Sequence, residues 1–159
     1  MVHLKTEEEV QIIKESAQIL GKAHAEVAKR IKPGVKTKDL DKVAEEFIRD
    51  HHGLPSFKNY GGSFPATLCI SVNEIVVHGF PGSYEVKESD IISIDCGVQF
   101  KGFHLGAVVE RFINELTQFP LISLIDQLFV HYFVKQGRNS RPGSVDPDFI
   151  PCIFKFSNF

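Results

Sequence analysis

The feature that most limits the possible folds is an alternating run at residues 91–100. Its even-numbered positions are apolar or carry a thiol, and its odd-numbered positions include Asp95. Because successive side chains of a strand point to opposite faces, this pattern predicts a strand with one face on a core and the other partly polar. A carboxylate within such a strand is costly to bury without a partner. A metal ion and a hydrogen bond to a neighbouring loop are both candidate partners for Asp95.

The Lys101-Gly102 pair after this run is typical of a two-residue hairpin turn. Such a turn predicts a returning strand in which residue 108 lies opposite Asp95 and residue 106 lies opposite residue 97. Position 106 is then diagonal to Asp95 on the same face, where a second carboxylate would be able to share a metal ion with it. The residue at this position is Gly106. Glu110 has the same parity, but a solvated glutamate is the simpler interpretation.

Two helices are predicted before the strands. Thr6 and Glu9 form a T-x-x-E capping box, and apolar residues then recur at three- and four-residue intervals until Pro33. Thr37 is placed to cap a second amphipathic helix that extends to Gly53. The chain therefore begins with a helical pair.

Residues 67–72 predict another strand, residues 73–74 a turn and residues 75–78 a returning strand that ends at His78. The loop before this hairpin contains Tyr60 and Phe64, whose rings either line a pocket or cover the core. Helices followed by antiparallel hairpins indicate an α+β fold with the helices on one face of the sheet. Residues 105–159 are rich in Phe and show no sustained helical or strand period, so their fold stays open.

Composition narrows the function classes. The net charge is −2 without a long basic run, which indicates neither a nucleic-acid surface nor an acidic-membrane surface. The three cysteines, Cys69, Cys96 and Cys152, suggest neither a disulfide framework nor a zinc knuckle. The N-terminus lacks a signal-like pattern and no apolar stretch is long enough for a membrane helix, so a cytoplasmic protein is expected.

A specific resemblance appears at residues 66–81, which read ATLCISVNEIVVHGFP. This string closely resembles the corresponding segment of type I methionine aminopeptidases. Further segments reinforce the similarity: Lys32-Pro33-Gly34-Val35 with Thr37 and Leu40-Asp41, Tyr60-Gly61-Gly62, Phe64-Pro65, Ile94-Asp95-Cys96-Gly97 and Gly102-Phe103-His104. The resemblance covers residues 1–104, about two thirds of the chain, and residues 105–159 form a divergent tail.

The resemblance implies a partial pita-bread fold. In that fold two related halves enclose a pair of divalent metal ions (Co, Mn, Fe or Zn) that activate water to remove the initiator methionine from nascent proteins. It implies that Asp95 is a metal ligand and that His78 contacts the substrate near the scissile bond. Tyr60, Phe64 and Cys69 match segments that line the methionine pocket. The implied partners are N-terminal methionyl peptides and, through them, the ribosome.

The sequence departs from the family after His104, where a Gly-Asp pair is expected and the chain has Leu105-Gly106. The segments for the remaining ligands are not found in the tail either, so four of the five expected metal ligands are missing and no catalytic set is complete. An out-of-frame or wrongly joined coding segment would produce such a change. The expected function is an incomplete, inactive methionine aminopeptidase-like protein; a non-catalytic pita-bread binding module and a non-functional fragment are the alternatives.

Overall fold

A computed structural model describes residues 4–113, 130–136 and 150–152 of the 159-residue chain. Two α-helices come first and strands follow. The elements in chain order are α1 (Glu7–Ala28), α2 (Thr37–Asp50), β1 (Leu54–Pro55), a short 3-10 helix (Tyr60–Gly62), β2 (Leu68–Val72), β3 (Ile91–Phe100), β4 (Phe103–Phe112), β5 (Val130–Gln136) and β6 (Ile150–Cys152).

The start of α1 confirms the predicted capping box. The Glu9 backbone N–H donates to Thr6 Oγ1 at 3.2 Å, and the Thr6 N–H donates to Glu9 Oε2 at 2.9 Å. The helix ends at Ala28, earlier than the predicted stop before Pro33. Arg111 on β4 donates from Nη1 to the Ala28 carbonyl at 2.8 Å and so satisfies a carbonyl that has no partner within the helix.

The helix α2 begins at the predicted place, but Thr37 does not cap it. Lys36 occupies the N-cap position without a side-chain cap. Thr37 Oγ1 instead accepts from the Gly82 N–H at 2.9 Å and donates to the Gly82 carbonyl at 3.1 Å. The carbonyls of Gly82 and Tyr84 accept from the backbone of Lys38 and Thr37, both at 3.0 Å. A distant loop, rather than a local side chain, therefore satisfies the first N–H groups of α2.

The strand β3 is the centre of the antiparallel sheet. It pairs with β4 along its whole length on one edge and with β1 and β2 on the other edge. Lys101 and Gly102 both have positive φ, 47° and 84°, as a type I′ turn requires. The observed register places Asp95 opposite Val108 and Gly97 opposite Gly106, which confirms the predicted pairing.

The predicted hairpin of residues 67–78 is wrong in its second half, because residues 75–78 form no strand. The strand β2 already pairs with β3 through all five of its residues. Asn73 and His78, at the two ends of the excursion, adopt left-handed conformations with φ of 54° and 58°. These two residues turn the chain away from the sheet, which it rejoins where the Ile70 N–H donates to the Gly79 carbonyl at 2.8 Å.

Both helices pack on one face of the sheet, as the α+β prediction requires. His24 on α1 is buried, and its Nε2 lies 3.1 Å from the Ala107 carbonyl on β4. Burial lowers the pKa of His24 to about 4, against a smaller opposite effect of this hydrogen bond. The imidazole is therefore neutral at pH 7 and donates to β4. The largest fully buried apolar side chains of this core include Leu20, Val27, Leu40, Ile48, Leu68, Val86, Ile92, Val98 and Ile113.

The sheet continues beyond β4 through the backbone pairing of β5 and β6. The predicted domain boundary at residue 104 falls within β4, and most of residues 105–159 lie outside the described part of the chain. The division into two regions therefore stays a prediction. Among the described residues, neither helix combines the length and the apolarity needed to cross a membrane.

A candidate site on the open face of the sheet

The face of β3 opposite the helices carries Asp95 at its centre. Cross-strand partners in an antiparallel sheet share a face, so Cys69 on β2 and Val108 on β4 flank this carboxylate on its two sides. Asp95 is partly buried and Cys69 is 5% exposed. The alternating pattern of β3 thus places the Asp95 carboxylate between two weakly polar or apolar neighbours.

Burial raises the pKa of Asp95 to about 6. The charge of His78 and a hydrogen bond from the Cys96 backbone act in the opposite direction but are outweighed. Burial and then the negative charges of Asp95 and Asp41 raise the pKa of the Cys69 thiol to about 12. Cys69 is therefore a protonated, weakly nucleophilic wall residue rather than a reactive thiolate.

A cavity of about 60 Å³ lies against Asp95. This space can hold an ion or a few water molecules, and it is smaller than the roughly 300–1,000 Å³ of typical ligand pockets. The residues that line it come from β2, β3, β4 and the loop after β2; they are Cys69, Ser71, Val76, Val77, His78, Ser93, Asp95 and Val108.

Residues 73–80, which we call the cover loop, form one wall of this cavity. Val76 and Val77 are 84% and 64% exposed, although both contribute to the lining. Gly79 is buried where the loop rejoins β2, and a Cβ atom built there would lie 2.1 Å from the Ile70 carbonyl oxygen. Only glycine permits this approach, which fixes the end of the loop that carries His78.

The position diagonal to Asp95 on β4 has space but no ligand. A Cβ atom at Gly106 would meet the Cys96 carbonyl at 3.6 Å, an ordinary van der Waals contact. Glu110 lies opposite Ser93 and is exposed. Among the described residues, no group of three or more His, Cys, Asp or Glu side chains is arranged to hold a metal ion. The described donor set therefore does not fit a two-metal centre.

The structure brings together three of the five residues that the sequence proposed for the site: Asp95, His78 and Cys69. Tyr60 is 63% exposed in the short 3-10 helix and is not part of the lining of this cavity. Phe64 packs on the Phe80 ring at 5.3 Å between centroids, so it borders the far side of the cover loop. Their roles in a methionine pocket stay predictions.

Sequence reasoning missed two kinds of lining residue. Ser93 and Val108 were detectable, because parity along β3 and the hairpin register place both on the face of Asp95. Val76 and Val77 were not, because they were read as a returning strand. Also missed was Asp41 on α2, which accepts from the backbone N–H groups of residues 67 and 68 at 2.9 and 2.8 Å and holds the start of β2.

Comparison with known proteins shows which proteins have similar sequences. The profile of metallopeptidase family M24 matches residues 11–108. The methionine aminopeptidase of Clostridium perfringens is 51% identical over 107 residues, which are 67% of this chain and 43% of that protein. Methionine aminopeptidase 1 of Bacillus subtilis is 48% identical over 65% of the chain and 42% of its own length.

Solved structures agree with the sequence matches. The methionine aminopeptidase of Thermotoga maritima superposes with a TM-score of 0.68 at 36% identity, and that of Rickettsia prowazekii with 0.65 at 29%. Each alignment covers 72% of this chain and 46% of the solved chain. An Xaa-Pro dipeptidase from Bacillus anthracis, 22% identical with a TM-score of 0.60, shares the fold. The chain spans less than half the length of these curated relatives.

Proposed function

Because the chain belongs to metallopeptidase family M24, we propose that it is a methionine aminopeptidase-like protein with an incomplete catalytic centre. Its α+β architecture resembles part of the family's pita-bread fold. In this proposal the Asp95 cavity receives the N-terminal end of a methionyl peptide, and the described residues do not supply hydrolysis. The main support for an incomplete centre is Gly106, because glycine offers no side-chain ligand at the position diagonal to Asp95.

The family implies divalent metal ions, which in a complete site would polarise the scissile carbonyl and lower the pKa of a bound water. Two ions need several carboxylate or imidazole ligands in fixed geometry, and Asp95 alone does not provide them. Burial raises the pKa of Asp95 to about 6, so at pH 7.5 the carboxylate is ionised and attracts a cationic group. These observations support binding without hydrolysis.

Binding is tested with the tripeptide Met-Ala-Ser and its N-acetylated form, followed by NMR shifts of the chain at pH 7.5. A free α-ammonium is attracted to the Asp95 carboxylate in a site partly shielded from water, whereas an acetylated N-terminus is neutral. We expect saturable shifts of Cys69, His78 and Asp95 with the free peptide only. The Asp95→Asn variant, close in size, serves as the matched control and should lose the preference.

Equal responses to the free and acetylated peptides would contradict recognition of an N-terminus. Release of free methionine from Met-Ala-Ser would contradict the second half of the proposal, because it requires a completed centre. The two halves therefore fail separately.

A second candidate function, a non-catalytic binding module, is favoured by the exposed apolar side chains of the cover loop. Val76, Val77 and Phe80 are 84%, 64% and 64% exposed and lie within the same five-residue segment. Exposed apolar groups of this kind are typical of protein contacts. If the module contacts ribosomes, a Val76→Ser/Val77→Ser variant should lose co-sedimentation with them while Asp95→Asn retains it. Retention by both variants would remove this candidate.

A further inference from the structure

A network of hydrogen bonds around Asp90 lies just before β3, away from the Asp95 cavity. Asp90 is 5% exposed and accepts from Asn73 Nδ2 at 2.9 Å, from the Tyr84 hydroxyl at 3.0 Å and from the Lys87 backbone N–H at 2.7 Å. Burial raises the pKa of Asp90, but these three donors together outweigh burial and hold it below its ordinary value. Asp90 is therefore an ionised, multiply bonded anchor at pH 7.

Asn73 connects this anchor to the cover loop. Its side-chain oxygen accepts from the Ile91 N–H at 2.9 Å while its amide donates to Asp90. Its own N–H donates to the Ile91 carbonyl at 2.9 Å, and its φ of 54° sends the chain out of β2. Three hydrogen bonds thus fix the residue at which the cover loop begins.

The far end of the cover loop is fixed in a different way. The Gly79 N–H donates to Ser71 Oγ at 3.1 Å, and the Gly79 carbonyl accepts from Ile70 at 2.8 Å. Between these ends the chain presents Val76, Val77 and His78 to the cavity. The middle of the loop is exposed, so its placement depends chiefly on its two ends.

The cavity beneath the loop, at about 60 Å³, is well below the roughly 300–1,000 Å³ that is typical of ligand pockets. On the other side of the loop lies a cavity of about 400 Å³ lined in part by Ile70, Ile75 and Phe80. Displacement of the loop toward this larger space would open the Asp95 cavity.

We propose that Asp90 is a positioning residue, acting through Asn73, that holds the cover loop closed over Cys69 and Asp95. Weakening the Asp90–Asn73 contact opens the loop locally and admits ligand, without unfolding the sheet. The ligand class is the methionyl N-terminus, for which this inference rests on the proposed function; the closure itself is independent of it.

Alkylation of Cys69 by N-ethylmaleimide measures the closure directly. Cys69 is 5% exposed under the loop, and Cys96 is 1% exposed on the helix side of the same sheet. Local opening exposes only Cys69, whereas global unfolding exposes both cysteines. Peptide mapping by mass spectrometry measures the labelling of each cysteine separately in the 159-residue chain at fixed pH.

Two variants weaken the anchor in different ways. Asp90→Asn removes its charge, and Asn73→Gly removes the connecting side chain while tolerating the left-handed backbone. We expect each to accelerate Cys69 labelling about tenfold, because one removes the charge from a part-buried hydrogen bond and the other removes its donor. Cys96 labelling should stay at the wild-type rate. Tyr84→Phe, which removes one bond to Asp90 but leaves Asn73 in place, should stay within about twofold of wild type.

Unchanged Cys69 labelling in Asn73→Gly, or parallel acceleration of Cys69 and Cys96 in both variants, would overturn the proposal. Met-Ala-Ser added to the Asn73→Gly variant, whose loop is open, should slow Cys69 labelling by occupying the site. If the peptide gives no protection while the variants still accelerate Cys69, the proposed function fails and the closure stands.

Discussion

The two faces of the central sheet differ in how completely their side chains are packed and hydrogen-bonded. On the helix face, Leu20, Leu40 and Ile92 are fully buried, and the buried His24 bonds to β4. On the open face, Asp95 has a raised pKa, Gly106 leaves space for a side chain, and the cover loop exposes Val76 and Val77. The first face accounts for the packing of the fold, and the second carries the groups that we propose bind a ligand.

This difference separates what makes the chain fold from what makes a family member active. The helix face needs only apolar side chains at the right period, which this chain has. A two-metal centre needs a specific ligand at each position, and one glycine at position 106 is enough to break the set. A chain can therefore keep part of the family's fold while its described residues do not provide a ligand set for two metal ions.

The largest effect that we expect on either face of the sheet is at Gly79, where the cover loop meets β2. Gly79→Ala should lower the free energy of unfolding by more than about 3 kcal/mol, because its Cβ would lie 2.1 Å from a backbone oxygen that has little room to move. Gly21→Ala is the control on α1, where a Cβ meets nothing within 4 Å, and should be neutral or stabilising by up to about 1 kcal/mol. Urea unfolding measures both. Equal effects would mean that the loop is not held closely against the sheet.

The second test concerns His24, on the helix face. Its folded pKa of about 4 lies below the ordinary value of 6.5, so the unfolded state binds more protons between these values. Stability should therefore fall as pH drops from about 6.5 to about 4, by about 3 kcal/mol in total. Above pH 6.5 this contribution is fully present.

The measurement for His24 is the difference in unfolding free energy between wild type and His24→Gln across this pH range. The raised pKa of Asp95 changes stability over the same pH range with the opposite sign. Asp95 is present in both proteins, so subtracting one pH curve from the other leaves the contribution of His24. Parallel pH curves for the two proteins would show that His24 is not buried against β4.

The third test fills the gap at Gly106. Gly106→Asp places a second carboxylate diagonal to Asp95, so without metal it should destabilise the chain by about 1 kcal/mol through like-charge repulsion. Added Mn²⁺ should raise the melting temperature of this variant, and Gly106→Asn should show neither effect. No response of Gly106→Asp to Mn²⁺ would mean that the two positions do not converge.

The smallest expected effect separates the backbone of His78 from its imidazole. His78→Gly and His78→Ala both remove the ring, but only glycine relieves the φ of 58°. The glycine variant should therefore be more stable than the alanine variant by about 1 kcal/mol in thermal unfolding. Equal stabilities would show that the loop relaxes around this residue.

Local patterns predicted the parts of the fold in which one signal decides the outcome. The capping box of Thr6 and Glu9 located the start of α1, and the Lys101-Gly102 turn fixed the β3–β4 register and hence the position of Gly106. Parity along β3 placed Asp95 on the open face. These features depend on neighbouring residues alone.

The errors arose where distant contacts decide the structure. Thr37 bonds to Gly82 in a loop 45 residues away, so its local cap motif was misleading. The apolar residues at 75–77 have the composition of a strand but lie in the cover loop, because left-handed Asn73 and His78 turn the chain out of the sheet. The Asp90–Asn73 contact joins residues 17 apart and has no local signature.

The most direct test of the central claim is the number of metal ions bound per chain. The 159-residue chain is equilibrated with Co²⁺ or Mn²⁺, and bound metal is counted by elemental analysis alongside release of methionine from Met-Ala-Ser. Fewer than two ions per chain and no released methionine are the predicted result. Two ions per chain with methionine release, both abolished by Asp95→Asn, would contradict it.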